Sequence, residues 1–131
     1  MTVVDASILL KLAIEEADSD AARTFVAREM LIAPDLIAVE VANGLRKGMR
    51  DGRTPASDVE PSSDRLVVSV TIVPSVVVRR ALQIALVLSH HVHDCVYLAL
   101  AEANSCRLFT ADHKFRAKAL ASAFDRVVPA Y

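Results

Sequence analysis

The chain has 131 residues, 53% of them apolar, which suits a single domain spanning 1–131 with a real hydrophobic core, and no second domain is expected. Fifteen basic against sixteen acidic residues exclude a uniformly basic surface, so any polyanion must be met by local patches. No run approaches the ~18 uninterrupted apolar residues of a membrane span, and Met1 leads into Thr2-Val3-Val4-Asp5 with no secretory leader pattern, so a soluble, cytoplasmic protein without membrane contact is expected.

Val3-Val4 predicts a short strand ending at Asp5, and Ser7 ahead of Ile8-Leu9-Leu10-Lys11-Leu12-Ala13 predicts a helix capped by Ser7. A helix is expected from Ser19 to about Arg28, then a buried strand at Leu31-Ile32-Ala33. Pro34-Asp35 opens a long helix from Leu36 to about Met49, with Ile37, Val41 and Leu45 on one stripe. Thr54 to Asp64, with two prolines and three serines, reads as a short helix in a surface connection. Alternation and β-branching over Val67 to Val73 predict a strand. Helices follow at Ser75 to about Leu88 and at Asp94 to Asn104, with Asn104 as a left-handed cap. A strand at Leu108-Phe109-Thr110, a helix over Lys114 to Ala121 and a strand at Arg126-Val127-Val128 complete the order. Strands separated by helices throughout predict a three-layer α/β/α fold around a parallel sheet of about five short strands. Cys95 and Cys106 lack CxxC spacing and sit among apolar residues, as reduced structural thiols do.

Ligands of an open parallel sheet gather beyond the carboxyl ends of its strands. Asp5 ends the first strand, Asp112 follows the Leu108-Phe109-Thr110 strand, and Asp94 opens a helix on the same side. Glu40 stands between Val39 and Val41, one turn inside an apolar helix, where a charge is normally avoided. Each acid has an ordinary role open to it, as helix cap, turn former or solvated helix residue. Gathered at one sheet edge they need compensation, since two carboxylates about 5 Å apart repel by roughly 3 kcal/mol at an effective dielectric near 20. Protonation relieves part of this, and a divalent cation relieves more. An all-oxygen donor set suits Mg²⁺ or Mn²⁺, the ions of phosphodiester chemistry.

At these residues the chain resembles the PIN-domain family, and within it the VapC-type toxins of bacterial toxin–antitoxin pairs. Val3-Val4-Asp5-Ala6-Ser7 is similar to the family's first acidic motif, and Ala33-Pro34-Asp35-Leu36-Ile37-Ala38-Val39-Glu40-Val41-Ala42-Asn43 to its Glu-bearing helix. Asp94-Cys95-Val96-Tyr97-Leu98-Ala99-Leu100-Ala101-Glu102 through Phe109-Thr110-Ala111-Asp112 is similar to its paired aspartate region. The resemblance implies a Mg²⁺- or Mn²⁺-dependent endoribonuclease that acts on cellular RNA, is inhibited by a cognate antitoxin and forms a homodimer. It implies Asp5, Glu40, Asp94 and Asp112 as the catalytic, metal-binding acids, with Ser7 and Thr110 in supporting hydrogen bonds. Two other readings stay open. One is a catalytically silent PIN scaffold that binds RNA or antitoxin; the other is a phosphatase-like hydrolase with Asp5 as nucleophile, although Ser7 stands where that chemistry wants a second acid.

One departure from the family is His93, which takes the place of a common aromatic before the third acid, inside His90-His91-Val92-His93-Asp94. Zinc ligation, RNA contact or general acid work, and a surface or packing role are all open to these histidines. His90 and Asp94 have the i, i+4 spacing that one helical face requires, yet a helix beginning at Asp94 would leave His90 outside it. Basic residues flank the acids on two sides: Arg46, Lys47, Arg50 and Arg53 after Glu40, and Lys114, Arg116 and Lys118 after Asp112. Both groups are candidates for neutralising RNA phosphates, the second the better candidate, since the first also suits a helix C-terminus.

Overall fold

Val3 and Val4 enter the core with no exposed surface, and so does Ala33 on the neighbouring strand, as expected of β-branched and small residues covered on both faces of a sheet. The computed structural model describes residues 1–74 and 77–128. In chain order the elements are β1 (Thr2–Val4), α1 (Ala6–Leu10), α2 (Ser19–Val26), β2 (Leu31–Pro34), α3 (Leu36–Arg50) and α4 (Ala56–Val68). They continue with β3 (Thr71–Val73), α5 (Val78–Leu88), α6 (Val92–Ala103), β4 (Leu108–Phe109), α7 (His113–Ala121) and β5 (Val127–Val128).

The strands form one five-stranded parallel sheet in the order β3-β2-β1-β4-β5, in a three-layer α/β/α arrangement. The chain builds outward from β1 to β3, then crosses back to place β4 on the other side of β1, with Val3 opposite Leu108 and Val4 opposite Phe109. The order therefore reverses between β1 and β4. At such a switch point the two loops leave in opposite directions and open a crevice beyond the strand ends. Asp5 and Thr110 are the first residues past those two strands.

Helix α6 is buried continuously from Cys95 to Ala101 and packs on β1, β2 and α5. Burial on nearly all sides explains its apolar circumference. No single helix among the described residues is long and apolar enough to cross a membrane, and the apolar α5 and α6 meet at a bend of 117°.

Several sequence expectations move. Val67 and Val68 belong to α4 and not to a strand; only Thr71–Val73 pairs with β2. The helix persists because Ser62 and Leu66 turn one face inward while Val68 remains 83% exposed. Accordingly Thr54 to Asp64 is mostly helix, with Pro55 at its N-cap and Pro61 inside it. Helix α1 is capped by Asp5 and not by Ser7. Asn104 is not left-handed; that conformation falls on Ser105 (φ 51°), while the Asn104 side chain donates to the Leu100 carbonyl at 2.9 Å. Helix α6 begins at Val92, two residues early, and the expected start of α5 at Ser75 lies outside the described residues.

Candidate active site

Asp5 is held from both sides of the switch point. Its Oδ1 accepts from the Ser7 backbone N–H at 3.0 Å and from the Ser7 hydroxyl, and its Oδ2 accepts from the Thr110 hydroxyl. Each hydroxyl in turn accepts a backbone hydrogen from the loop after β4: Ala111 N–H to Ser7 Oγ at 3.0 Å and Asp112 N–H to Thr110 Oγ1 at 3.0 Å. Ser7 and Thr110 thus lock the carboxylate to both loops, and cooperative chains of this kind fix geometry more firmly than single bonds.

Burial pushes the Asp5 carboxyl up from 3.8 to about 6; the hydroxyl and backbone donors pull the other way, and the nearby charge of Asp94 adds a small further rise. Burial also raises Glu40, against the opposing pull of the Tyr97 hydroxyl, which donates to Oε1 at 2.6 Å, and of His93. The Tyr97 phenol is raised in turn by its own burial and by this bond. Crowded, desolvated carboxyls of this type are a common mark of functional sites.

Donor atoms of Glu40, His93 and Asp94 all lie within 4.8 Å of one another. Two carboxylates and an imidazole at that spacing fit a divalent cation. Asp5 and Asp112 are not members of this close group, though Asp5 feels the charge of Asp94. Asp112 caps α7, accepting from Phe115 N–H at 3.0 Å, and lines a cavity of about 420 Å³ with Ser7, Lys11, Lys47 and Arg53.

Of the predicted basic residues, Arg46 is tied to Asn43 and Arg50 to Asp51 on the exposed side of α3. Lys114 is exposed and Arg116 half-buried on α7, while Lys118 bonds His90. Lys47 and Arg53 reach the Asp112 cavity, which Arg46 and Arg50 do not line. A larger cavity of about 580 Å³ beside the Phe25–Phe109 ring pair shares no residue with the four acids.

Sequence reasoning missed the Tyr97–Glu40 contact and noticed the His90–Asp94 spacing only to set it aside. Tyr97 lies one helical turn beyond Asp94, and that i, i+3 spacing was its only signal. His90 does stand outside α6, yet its Nε2 lies 2.6 Å from Asp94 Oδ2. Cys95 is buried with its thiol pushed up to about 11 by burial, and both cysteines are free.

A parallel sheet that collects acids at its switch point defines a class of α/β proteins with a carboxylate-lined site at the strand ends. The PIN domain family model matches residues 2–120, and the chain belongs to that family. It is similar to the VapC ribonuclease Mb0985 of Mycobacterium bovis and to Ribonuclease VapC9 of Mycobacterium tuberculosis, each 38% identical over 116 residues and 86% of both chains. Its fold is similar to the crystal structure of PAE2754 from Pyrobaculum aerophilum, with a TM-score of 0.72 and 26% identity over 89% of this chain and 78% of that one.

Proposed function

We propose that this protein is a single-domain, metal-dependent endoribonuclease of the VapC toxin type. The observation that carries the reading is the meeting of Glu40, Asp94 and His93 within 4.8 Å, beside an Asp5 locked across β1 and β4. Asp5, Glu40, Asp94 and Asp112 are its catalytic acids on this reading; Glu40 and Asp94 would hold Mg²⁺ or Mn²⁺, with Asp5 and Asp112 supplying further negative charge. When bound, such an ion lowers the pKa of water and stabilises charge building on phosphate oxygens. Overall, one phosphodiester and one water give a phosphate monoester and an alcohol: as the water oxygen bonds to phosphorus the water gives up a proton, the opposite P–O bond breaks, and the departing oxygen takes up a proton.

The chain's own part is to position. Ser7 and Thr110 keep Asp5 from rotating, Tyr97 does the same for Glu40, and Lys47 and Lys114 offset the phosphate charge that the acids would repel, while Arg53 is paired with Glu16 at 2.9 Å. The natural partners on this reading are cellular RNA and a cognate antitoxin. A homodimer is consistent with the exposed apolar residues Val78, Leu82 and Leu86, spaced i, i+4, i+8 along α5.

Purified protein incubated with total RNA and Mg²⁺ or Mn²⁺ should yield discrete fragments, lost in excess EDTA and in Asp5→Asn or Asp94→Asn. Full cleavage in EDTA would sink the metal mechanism. RNA binding without cleavage under any divalent ion would favour a silent scaffold.

A further inference from the structure

The histidines before Asp94 have no role so far beyond His93, yet His90 is the least exposed of them. Its side chain is only 11% exposed, its ring lies 4.9 Å from that of Phe115, and its backbone is fixed by the end of α5. Ser89 takes a left-handed conformation (φ 49°), and His90 N–H returns to the Ala85 carbonyl at 3.1 Å, the six-to-one bond of a Schellman ending. That turn carries the ring back over α6, so that His90 Nε2 stands 2.6 Å from Asp94 Oδ2. The other ring nitrogen, Nδ1, faces Lys118 Nζ at 3.3 Å, and the same ammonium donates to the Ser89 carbonyl at 3.3 Å.

The chemistry of these groups sets a direction. An ammonium has donors only, so Nδ1 must accept, and a neutral imidazole that accepts at Nδ1 carries its hydrogen on Nε2. A carboxylate accepts only, and it meets that hydrogen. We infer that Lys118 and His90 form a brace that orients the Asp94 carboxylate, with Lys118 fixing the Nε2–H tautomer of His90 and His90 donating to Asp94 Oδ2. Oδ1 is thereby left on the side of His93, 3.6 Å from its Nε2, where Glu40 completes the close group. His90 and Lys118 are positioning residues, and Lys118 belongs to this brace and not to the RNA-facing patch. Partners that orient ligands in this way are typically worth 10–100-fold in metal affinity.

This inference rests on Asp94 being a metal-binding acid, and its test is separable from nuclease activity. In metal-free protein, nitrogen NMR of the imidazoles should show His90 with its hydrogen on Nε2, and Lys118→Met should convert it to a tautomer mixture. Calorimetric titration with Mn²⁺ should give His90→Phe, which keeps the ring against Phe115, an affinity about tenfold or more below wild type, measured at a temperature where both proteins are folded. His90→Gln, whose amide keeps a donor at similar reach, should recover most of that loss. A hydrogen on Nδ1 in wild type, or wild-type Mn²⁺ affinity in His90→Phe, overturns the brace. Should His90→Phe not fold, an unchanged tautomer in Lys118→Met overturns it equally. Wild-type protein that binds Mn²⁺ through the brace but cuts no RNA would sink the ribonuclease reading alone; RNA cleavage with no dependence of Mn²⁺ binding on His90 would sink the brace alone.

Discussion

The Thr110 hydroxyl donates to Asp5 Oδ2 across 105 residues of sequence, and this one bond joins the two strand ends between which the sheet reverses direction. It also places Thr110 Oγ1 to receive the Asp112 N–H at 3.0 Å, so the side chain serves an acid and a backbone donor together.

Thr110→Val keeps the shape and removes both bonds. The loss of one hydrogen bond to a charged group and the orphaning of a backbone N–H predict a destabilisation of about 1.5–3 kcal/mol near pH 7. The measurement is the urea midpoint at constant m-value, with Thr110→Ser as the variant that retains the hydroxyl. If Thr110→Val and Thr110→Ser unfold at the same midpoint as wild type, the bond contributes nothing.

Asp5 imposes a pH dependence whose sign follows from its raised carboxyl, about 6 in the folded chain against 3.8 ordinarily. The folded state holds this proton more tightly than the unfolded one, so stability is greatest below pH 3.8 as far as this group is concerned. It falls as pH rises from about 4 to 6, by an amount on the order of 2–3 kcal/mol. In EDTA, the wild type should lose stability over that window relative to Asp5→Asn, which has no proton to lose. Parallel curves for the two would refute the assignment.

Much of this was legible in the sequence, and what was not has identifiable causes. Asp5 and Asp112 could be placed because short β-branched or apolar runs mark strand ends, and Glu40 because a charge beside Val41 is conspicuous in an apolar helix. The boundary of α4 was not legible: Val67 and Val68 have strand propensity, and only the tertiary position of Leu66, 6% exposed, decides that the helix carries on through them. The His90–Asp94 pair was visible as an i, i+4 spacing, but how the two meet with His90 outside α6 was not, because a left-handed Ser89 turns the chain there and no local pattern distinguishes that serine from a helical one. Ser7 was legible as a polar residue beside Asp5, to which it donates two residues away, but its second role, accepting the Ala111 N–H, depends on a loop more than a hundred residues away.

Thr54 offers a stability test remote from the acids. Its hydroxyl is buried without a hydrogen-bond partner among the described residues, and it lies where a side chain at Gly48 would begin, 2.9 Å from an added Cβ. An unpaired buried hydroxyl costs roughly 1–3 kcal/mol, so Thr54→Val, which keeps the volume, should raise stability by about 1 kcal/mol. Gly48→Ala should do the opposite despite its better helix propensity, because the new methyl group meets both Thr54 Oγ1 and Ile14 Cδ1 at 2.9 Å. A lowered denaturation midpoint in Thr54→Val would mean that the hydroxyl is satisfied in solution.

His93 bears on which ion the site prefers. Its imidazole joins Glu40 and Asp94 within 4.8 Å, so the donor set is not the pure oxygen set that suits Mg²⁺. A nitrogen ligand favours Mn²⁺ and later first-row metals, which bind imidazole better than magnesium does. Wild-type protein should therefore bind Mn²⁺ more tightly than Mg²⁺ by a wider margin than His93→Phe, which removes the nitrogen at an exposed position and leaves both carboxylates. Titrations of the two proteins with each ion give the four affinities needed. The ratio of Mn²⁺ to Mg²⁺ affinity should drop in His93→Phe chiefly through weaker Mn²⁺ binding, with Mg²⁺ binding little changed. An equal ratio in both proteins would remove His93 from the donor set and leave the carboxylates alone to choose the metal.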